Sequence, residues 1–183
     1  LKEASIQSED YLESSYDNEN RKSLTDTIPF TLGSDHGIHL KGKINKSDTL
    51  DFLFDIGANA IVITSNLIGN KVNLELDGKA ENKGSDGLHN IEKSSSNEIE
   101  IGTLNWTNVE IISIDYQNPN FDGVLGWIAF ENKIVEINYD KNILIIHKST
   151  ETTPKDYFKI ETIMIEGLLF IKGNTLVNGT VSE

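Results

Sequence analysis

One aspartate stands out by its neighbours. In the stretch LDFLFDIGANAIVIT, Leu50 to Thr64, Asp55 sits between two apolar runs, two residues before Gly57. A carboxylate at the lip of a buried strand is costly to ionise unless it has partners or a purpose. Gly57 permits close backbone approach, and the amides of so tight a loop can hydrogen-bond a carboxylate and fix its plane. Two such loops facing each other across a twofold axis would bring two carboxylates to about 3 Å, where they share one proton and activate the water between them.

Other residue patterns promise less chemistry. Asn118, Asn120, Asp122 and Gly123 are spaced like the start of a calcium loop, but the twelfth position is Ala129 where a bidentate glutamate belongs. His36 and His39 form a His-x-x-His pair in SDHGIH. Zinc needs further ligands, and no spacing nominates them. Trp106 and Trp127 lie within apolar runs and read as core rather than as ligand platforms.

The elements that must position Asp55 read as strands. From Ile28 onward, short runs rich in Ile, Val, Leu and Phe are punctuated by Gly, Asn, Asp and Ser. Spacing of about 8–12 residues between such breaks is the mark of an all-β barrel or sandwich. The run VNLEL, Val72 to Leu76, is expected as one of these strands. In NEIEIGTLNWTNVEIISID the apolar alternation changes phase around Gly102, which predicts a bend or hairpin there. Tyr139 to Asn142 predicts a tight turn between two further strands. Only GWIAFENK, from Gly126, reads as a helix, and as a short one.

Composition bounds the function. The chain has 183 residues, a net charge of −13 and no cysteine. Nucleic-acid binding rewards clustered Lys and Arg, so the acidic balance argues against it. Without cysteine there is no disulfide framework, thiolate nucleophile or Cys-ligated zinc. No apolar run approaches the roughly 18 residues of a spanning helix, so no membrane span is expected. Residues 1–26 read as a polar, acidic tail with a short helix around Ile6 to Tyr16. The first residue is Leu1 rather than methionine. Trimming of a leader or deliberate design would both explain that, and the expected setting is extracytoplasmic, periplasmic or secreted.

FLFDIGAN, together with FDGVLGWIAF about 70 residues later, resembles the retropepsin-like aspartic peptidases. The resemblance covers roughly residues 28–148 and implies an all-β, retropepsin-like (acid protease) barrel with one short helix after Gly126. It pairs Asp55-Ile56-Gly57-Ala58 with a crossing segment Val124-Leu125-Gly126. It also implies Asp55 as the catalytic residue, Gly57, Ala58 and Asn59 as substrate contacts, and Gly84, Ser85, Asp86 and Gly87 as a flap closing over the peptide. No metal or other cofactor is implied, and the partner is a peptide or protein substrate. Members of the family carry Thr or Ser after the aspartate, a second hydroxyl a few residues on, and a polar residue after the crossing glycine. Here those places hold Ile56, Ile61 and Trp127-Ile128-Ala129.

Two readings follow. In one, this is an aspartic endopeptidase whose dyad is completed by a homodimer partner or a second lobe. In the other, a catalytically impaired module binds extended peptides or mediates dimerisation through the same cleft. Residues 27–148 form the expected barrel domain, and 149–183 a linker and the start of a second repeat. IMIEGLLFIKG resembles TIPFTLGSDHGIHLKG, with Lys172-Gly173 matching Lys41-Gly42. The alternative is that two β-rich stretches of similar composition look alike by chance.

Overall fold

The structure, a computed structural model, describes residues 25–84, 87–147, 158–178 and 180–182. Most of the acidic tail and most of the linker expected before Phe158 lie outside the described residues. Ten strands build one sheet: β1 (Thr25–Leu32), β2 (Ile38–Ile44), β3 (Leu50–Asp55), β4 (Ile61–Thr64), β5 (Gly78–Gly84), β6 (Gly87–Ile101), β7 (Leu104–Ile114), β8 (Gly123–Gly126), β9 (Ile134–Asn138) and β10 (Ile143–His147). Among the described residues no helix is long and apolar enough to cross a membrane.

The sheet closes on itself. Its order runs β6-β7-β4-β8-β3-β2, and β2 pairs back to β6 through Gly42↔Ile101, Lys43↔Glu100 and Ile44↔Ile99. Closure gives each of those six strands a neighbour on both sides. One edge of β2 serves two neighbours, β1 at Ile38–Leu40 and β6 at Gly42–Ile44. Gly42 marks the changeover, because a Cβ there would meet the Glu100 carbonyl oxygen at 2.7 Å. Inside the ring Leu40, Ile44, Leu50, Phe52, Ile63, Ile99, Ile101 and Leu125 are wholly buried. Each contributes about 1.5–3 kcal/mol of apolar burial.

β6 has two roles divided by an irregularity. Near its C-terminal end it belongs to the ring, whereas Gly87–Lys93 pairs with β5 to make a projecting hairpin. Between the two lie register shifts at Ser94/Asn97 and Asn97/Ile99. Asn97 is buried there, donating to the Val109 carbonyl at 3.1 Å and accepting from Asn45 Nδ2 at 2.8 Å. A bulge pinned by buried polar bonds is a built feature rather than a lapse of pairing.

Several sequence expectations take a specific form. The hairpin near Gly102 joins Ile101 to Leu104, and Tyr139–Asn142 links β9 to β10. The short helix is a 3-10 turn, Trp127–Phe130, and a second such turn spans Ser65–Leu67. The expected strand at Val72–Leu76 is not one. Lys71 and Val72 fold back to donate to the Leu67 carbonyl, and both edges of β4 are already taken by β7 and β8. Val72 and Leu74 are buried in the core all the same.

Past the barrel, β11 (Thr162–Ile165) and β12 (Leu168–Ile171) form a hairpin, and β13 (Thr175–Val177) pairs with β14 (Thr180–Ser182). Every residue of Thr162–Ile171 is exposed except Gly167, at the hairpin tip.

Candidate active site

Asp55 ends β3, and the chain turns at once toward β4. β8 is threaded between these two strands, parallel to β3 (Asp55↔Gly126) and antiparallel to β4 (Ile61↔Leu125). It holds the connecting loop from beneath: Gly126 N–H donates to the Ala60 carbonyl at 3.1 Å, and Trp127 N–H to the Ala58 carbonyl at 3.0 Å. Gly126 has ordinary extended backbone (φ −73°, ψ 168°), so what it supplies is thinness. A Cβ there would collide with the carbonyl oxygens of Ala58 and Ala60.

The loop fixes its own carboxylate. Gly57 N–H donates to Asp55 Oδ1 at 2.8 Å, and Ala58 N–H to the Asp55 carbonyl at 3.1 Å. Asp55 is exposed, available to a reactant rather than consumed by the core. Beneath the loop, Phe54, Phe130 and Trp106 stack edge to face with ring centroids 5.6 and 5.8 Å apart. The Trp106 indole donates to the Ala129 carbonyl at 2.8 Å, tying β7 to the turn after β8.

A second apolar cluster flanks the loop. Val62, Ile112 and Val124 are its buried centre, with Ala58 and Ala60 of the loop, Ile91 of the projecting hairpin, Tyr116 and Phe121 packed against it. Burial first, then the charge on Asp55, pushes the Tyr116 phenol above its ordinary value of 10.0. Tyr116 is thus a neighbour of Asp55 that sequence reading missed. Its signal was an aromatic inside the polar connection IDYQNPNFDG.

Two grooves of about 290 Å³ each adjoin the loop. Ile56 lines one with Phe54, Trp127 and Val135, and Asn59 lines the other with Trp106 and Ile128. The residues proposed from sequence fall into two places. Asp55, Gly57, Ala58 and Asn59 share the loop, whereas Gly84 and Gly87 close the tip of the β5–β6 hairpin. Ser85 and Asp86, between them, lie outside the described residues. Of the three positions lacking a polar brace, Ile56 is 56% exposed, Ile61 is buried in β4, and Ile128 is 37% exposed.

The other candidates resolve as structural. The Asp122 carboxylate accepts from the Asp51 amide at 2.9 Å and from Lys71 Nζ at 3.2 Å. Its carbonyl accepts from the Thr64 amide and hydroxyl, at 3.0 and 2.9 Å. Asp122 thus locks β3, β4 and the entry to β8 together. His39 is buried with Nδ1 3.1 Å from Asp51 Oδ1, whereas His36 lies exposed in the β1–β2 turn at φ 64°. Among the described residues, no group of three or more His, Cys, Asp or Glu is placed to hold a metal ion.

Closed ring, threaded β8, Asp-Ile-Gly loop and projecting hairpin together decide the type. This is the all-β barrel that a retropepsin-like resemblance implies. The aspartyl protease family model matches residues 40–128, from β2 through the turn after β8, and so covers both the Asp55 loop and its crossing strand. The retropepsin-like barrel is also similar to the crystal structure of a retropepsin-like aspartic protease from Rickettsia conorii. That similarity has a TM-score of 0.48 at 18% identity, over 67% of this chain and 91% of that one. No curated protein matches the sequence.

Proposed function

We propose that this chain hydrolyses peptide bonds through an aspartate dyad, with Asp55 as one carboxylate and its counterpart supplied by a second subunit or lobe. The observation that supports this most is the pinned loop. An exposed carboxylate, oriented by Gly57 N–H, stands on a turn that β8 holds at both ends.

One carboxylate of the pair, ionised, takes a proton from water as the oxygen attacks the scissile carbonyl. The other, protonated, gives its proton to the carbonyl oxygen, leaving a neutral tetrahedral intermediate. In the collapse the carboxylate now ionised takes a hydroxyl proton from the intermediate, the carbonyl re-forms as the C–N bond breaks, and the carboxyl now protonated gives its proton to the leaving nitrogen. An extended peptide lies main chain to main chain between the Asp55 loop and the β5–β6 hairpin. Gly57, Ala58 and Asn59 contact it from one side and residues 84–87 from the other.

The test is cleavage of an extended peptide library at acid pH by the wild type and by Asp55→Asn, with a statine-type transition-state mimic as inhibitor. Hydrolysis lost in Asp55→Asn, and a mimic bound far more tightly than a plain peptide, support the proposal. Peptide binding without hydrolysis, and without preference for the mimic, supports the second reading of a binding or dimerising module. The exposed Ile56 favours that second reading, since an apolar side chain there can cover a partner but cannot hydrogen-bond one.

A further inference from the structure

The tip of the β11–β12 hairpin meets the barrel beside the Asp55 loop. Trp127 Nε1–H donates to the Gly167 carbonyl at 2.9 Å. On the other side of the same residue, a Cβ at Gly167 would lie 2.5 Å from Asn59 Nδ2. Gly167 is therefore held at its oxygen by the residue after the crossing strand, and it lies close against the Asn59 side chain. The turn is built for this. Glu166 (φ 51°) and Gly167 (φ 83°) are both left-handed, as a two-residue hairpin turn of the primed type requires. Along the hairpin, Ile163, Met164, Ile165, Leu168, Leu169, Phe170 and Ile171 are all at least 40% exposed. An isolated two-stranded hairpin is marginal in water, so the bond from Trp127 helps to place it.

We propose that the Glu166–Gly167 turn is a latch on the Asp55 loop, with Trp127 and Asn59 as its seat. Gly126 and Trp127 hold residues 58–60 from beneath through two backbone bonds, while on the outer face Ile56 and Asn59 remain exposed, Asn59 beside Gly167. The latch closes that outer face beside Asn59 and couples it to Trp127. Trp127 and Gly167 are thus positioning residues for the loop that carries Asp55. Their catalytic consequence rests on the peptidase reading; the contact itself does not.

The test is hydrogen exchange by NMR on the full chain, comparing wild type with Gly167→Ala and Trp127→Phe. Gly173→Ala serves as control, since nothing lies within 4 Å of a Cβ there. In the wild type the Trp127 indole N–H is expected to exchange at least tenfold more slowly than a free indole. In Gly167→Ala the Trp127 indole accelerates at least tenfold, as do the amides of Ile163–Ile171, while the Trp106 indole, bonded within the barrel, is unchanged. Trp127→Phe releases the same hairpin amides and so reaches the contact from its other side. A wild-type Trp127 indole that exchanges freely, or variants that leave hairpin exchange unaltered, would overturn the latch. If the wild type cleaves peptides, Gly167→Ala lowers kcat at least tenfold with KM little changed, and an unchanged kcat with the hairpin released overturns the positioning role. A wild type without hydrolysis defeats the peptidase reading and leaves the exchange result to decide the latch.

Discussion

Gly126→Ala offers the sharpest test of how the Asp55 loop is held. The added Cβ would lie 2.5 Å from the Ala58 carbonyl oxygen and closer still to that of Ala60, where real Cβ atoms do not come within 3.0 Å. Both obstacles are backbone, so no side-chain rotation relieves them. Overpacking of this sort costs about 1–3 kcal/mol. Forcing β8 away also weakens the two bonds at 3.1 and 3.0 Å that hold the loop, at about 1 kcal/mol each. The sum is about 3–5 kcal/mol out of a typical domain stability of roughly 5–15 kcal/mol. With a urea slope of about 2 kcal/mol/M the midpoint should fall by roughly 1.5–2.5 M. Fluorescence of Trp106 and Trp127 reports it, with Gly173→Ala expected within about 0.5 kcal/mol of wild type. A loss below about 1 kcal/mol for Gly126→Ala would refute close approach as the reason for glycine at this position.

Three further outcomes are expected. Asn97→Ala removes a buried amide that bonds Asn45, Ser94 and the Val109 carbonyl, and should cost about 2–4 kcal/mol in chemical denaturation; a loss within experimental scatter counts against the polar knot. The Asp35 carboxyl is held below its ordinary value of 3.8, first by the Gly37 amide and then by the Asn120 side chain. A depressed folded value means its stabilisation is complete above the ordinary value and fades as pH falls through the folded one. The stability difference between wild type and Asp35→Asn should therefore be present at pH 6 and shrink below pH 4; a difference independent of pH contradicts the assignment. Because the Asp55 charge raises the Tyr116 phenol, Asp55→Asn should move one tyrosine titration downward in ultraviolet absorbance, and an unaltered titration would separate the two groups.

The barrel was legible because its strands carry their own punctuation. Gly102 and the Tyr139–Asn142 turn announced their hairpins, and the resemblance implied Val124-Leu125-Gly126 as the crossing segment. Val72–Leu76 misled because alternation reports burial, not pairing. Val72 and Leu74 are buried, yet no strand edge was left for them. In the site, Asp55 and Gly57 were readable from local chemistry alone. The contacts of Tyr116, the Asp122 hub and the Trp127–Gly167 bond were not, since each joins segments far apart in the chain. The turn at Asp122-Gly123 was expected, but its partners Asp51, Thr64 and Lys71 were not.

The bulge at Asn97 divides β6 into two mechanical parts. On one side of it β6 is welded to β2 in a closed ring that also carries Asp55; on the other it becomes one arm of the projecting hairpin. The ring is the frame and the hairpin a boom, so any swing of one relative to the other must be taken up between Ser94 and Ile99, where the ladder is already irregular.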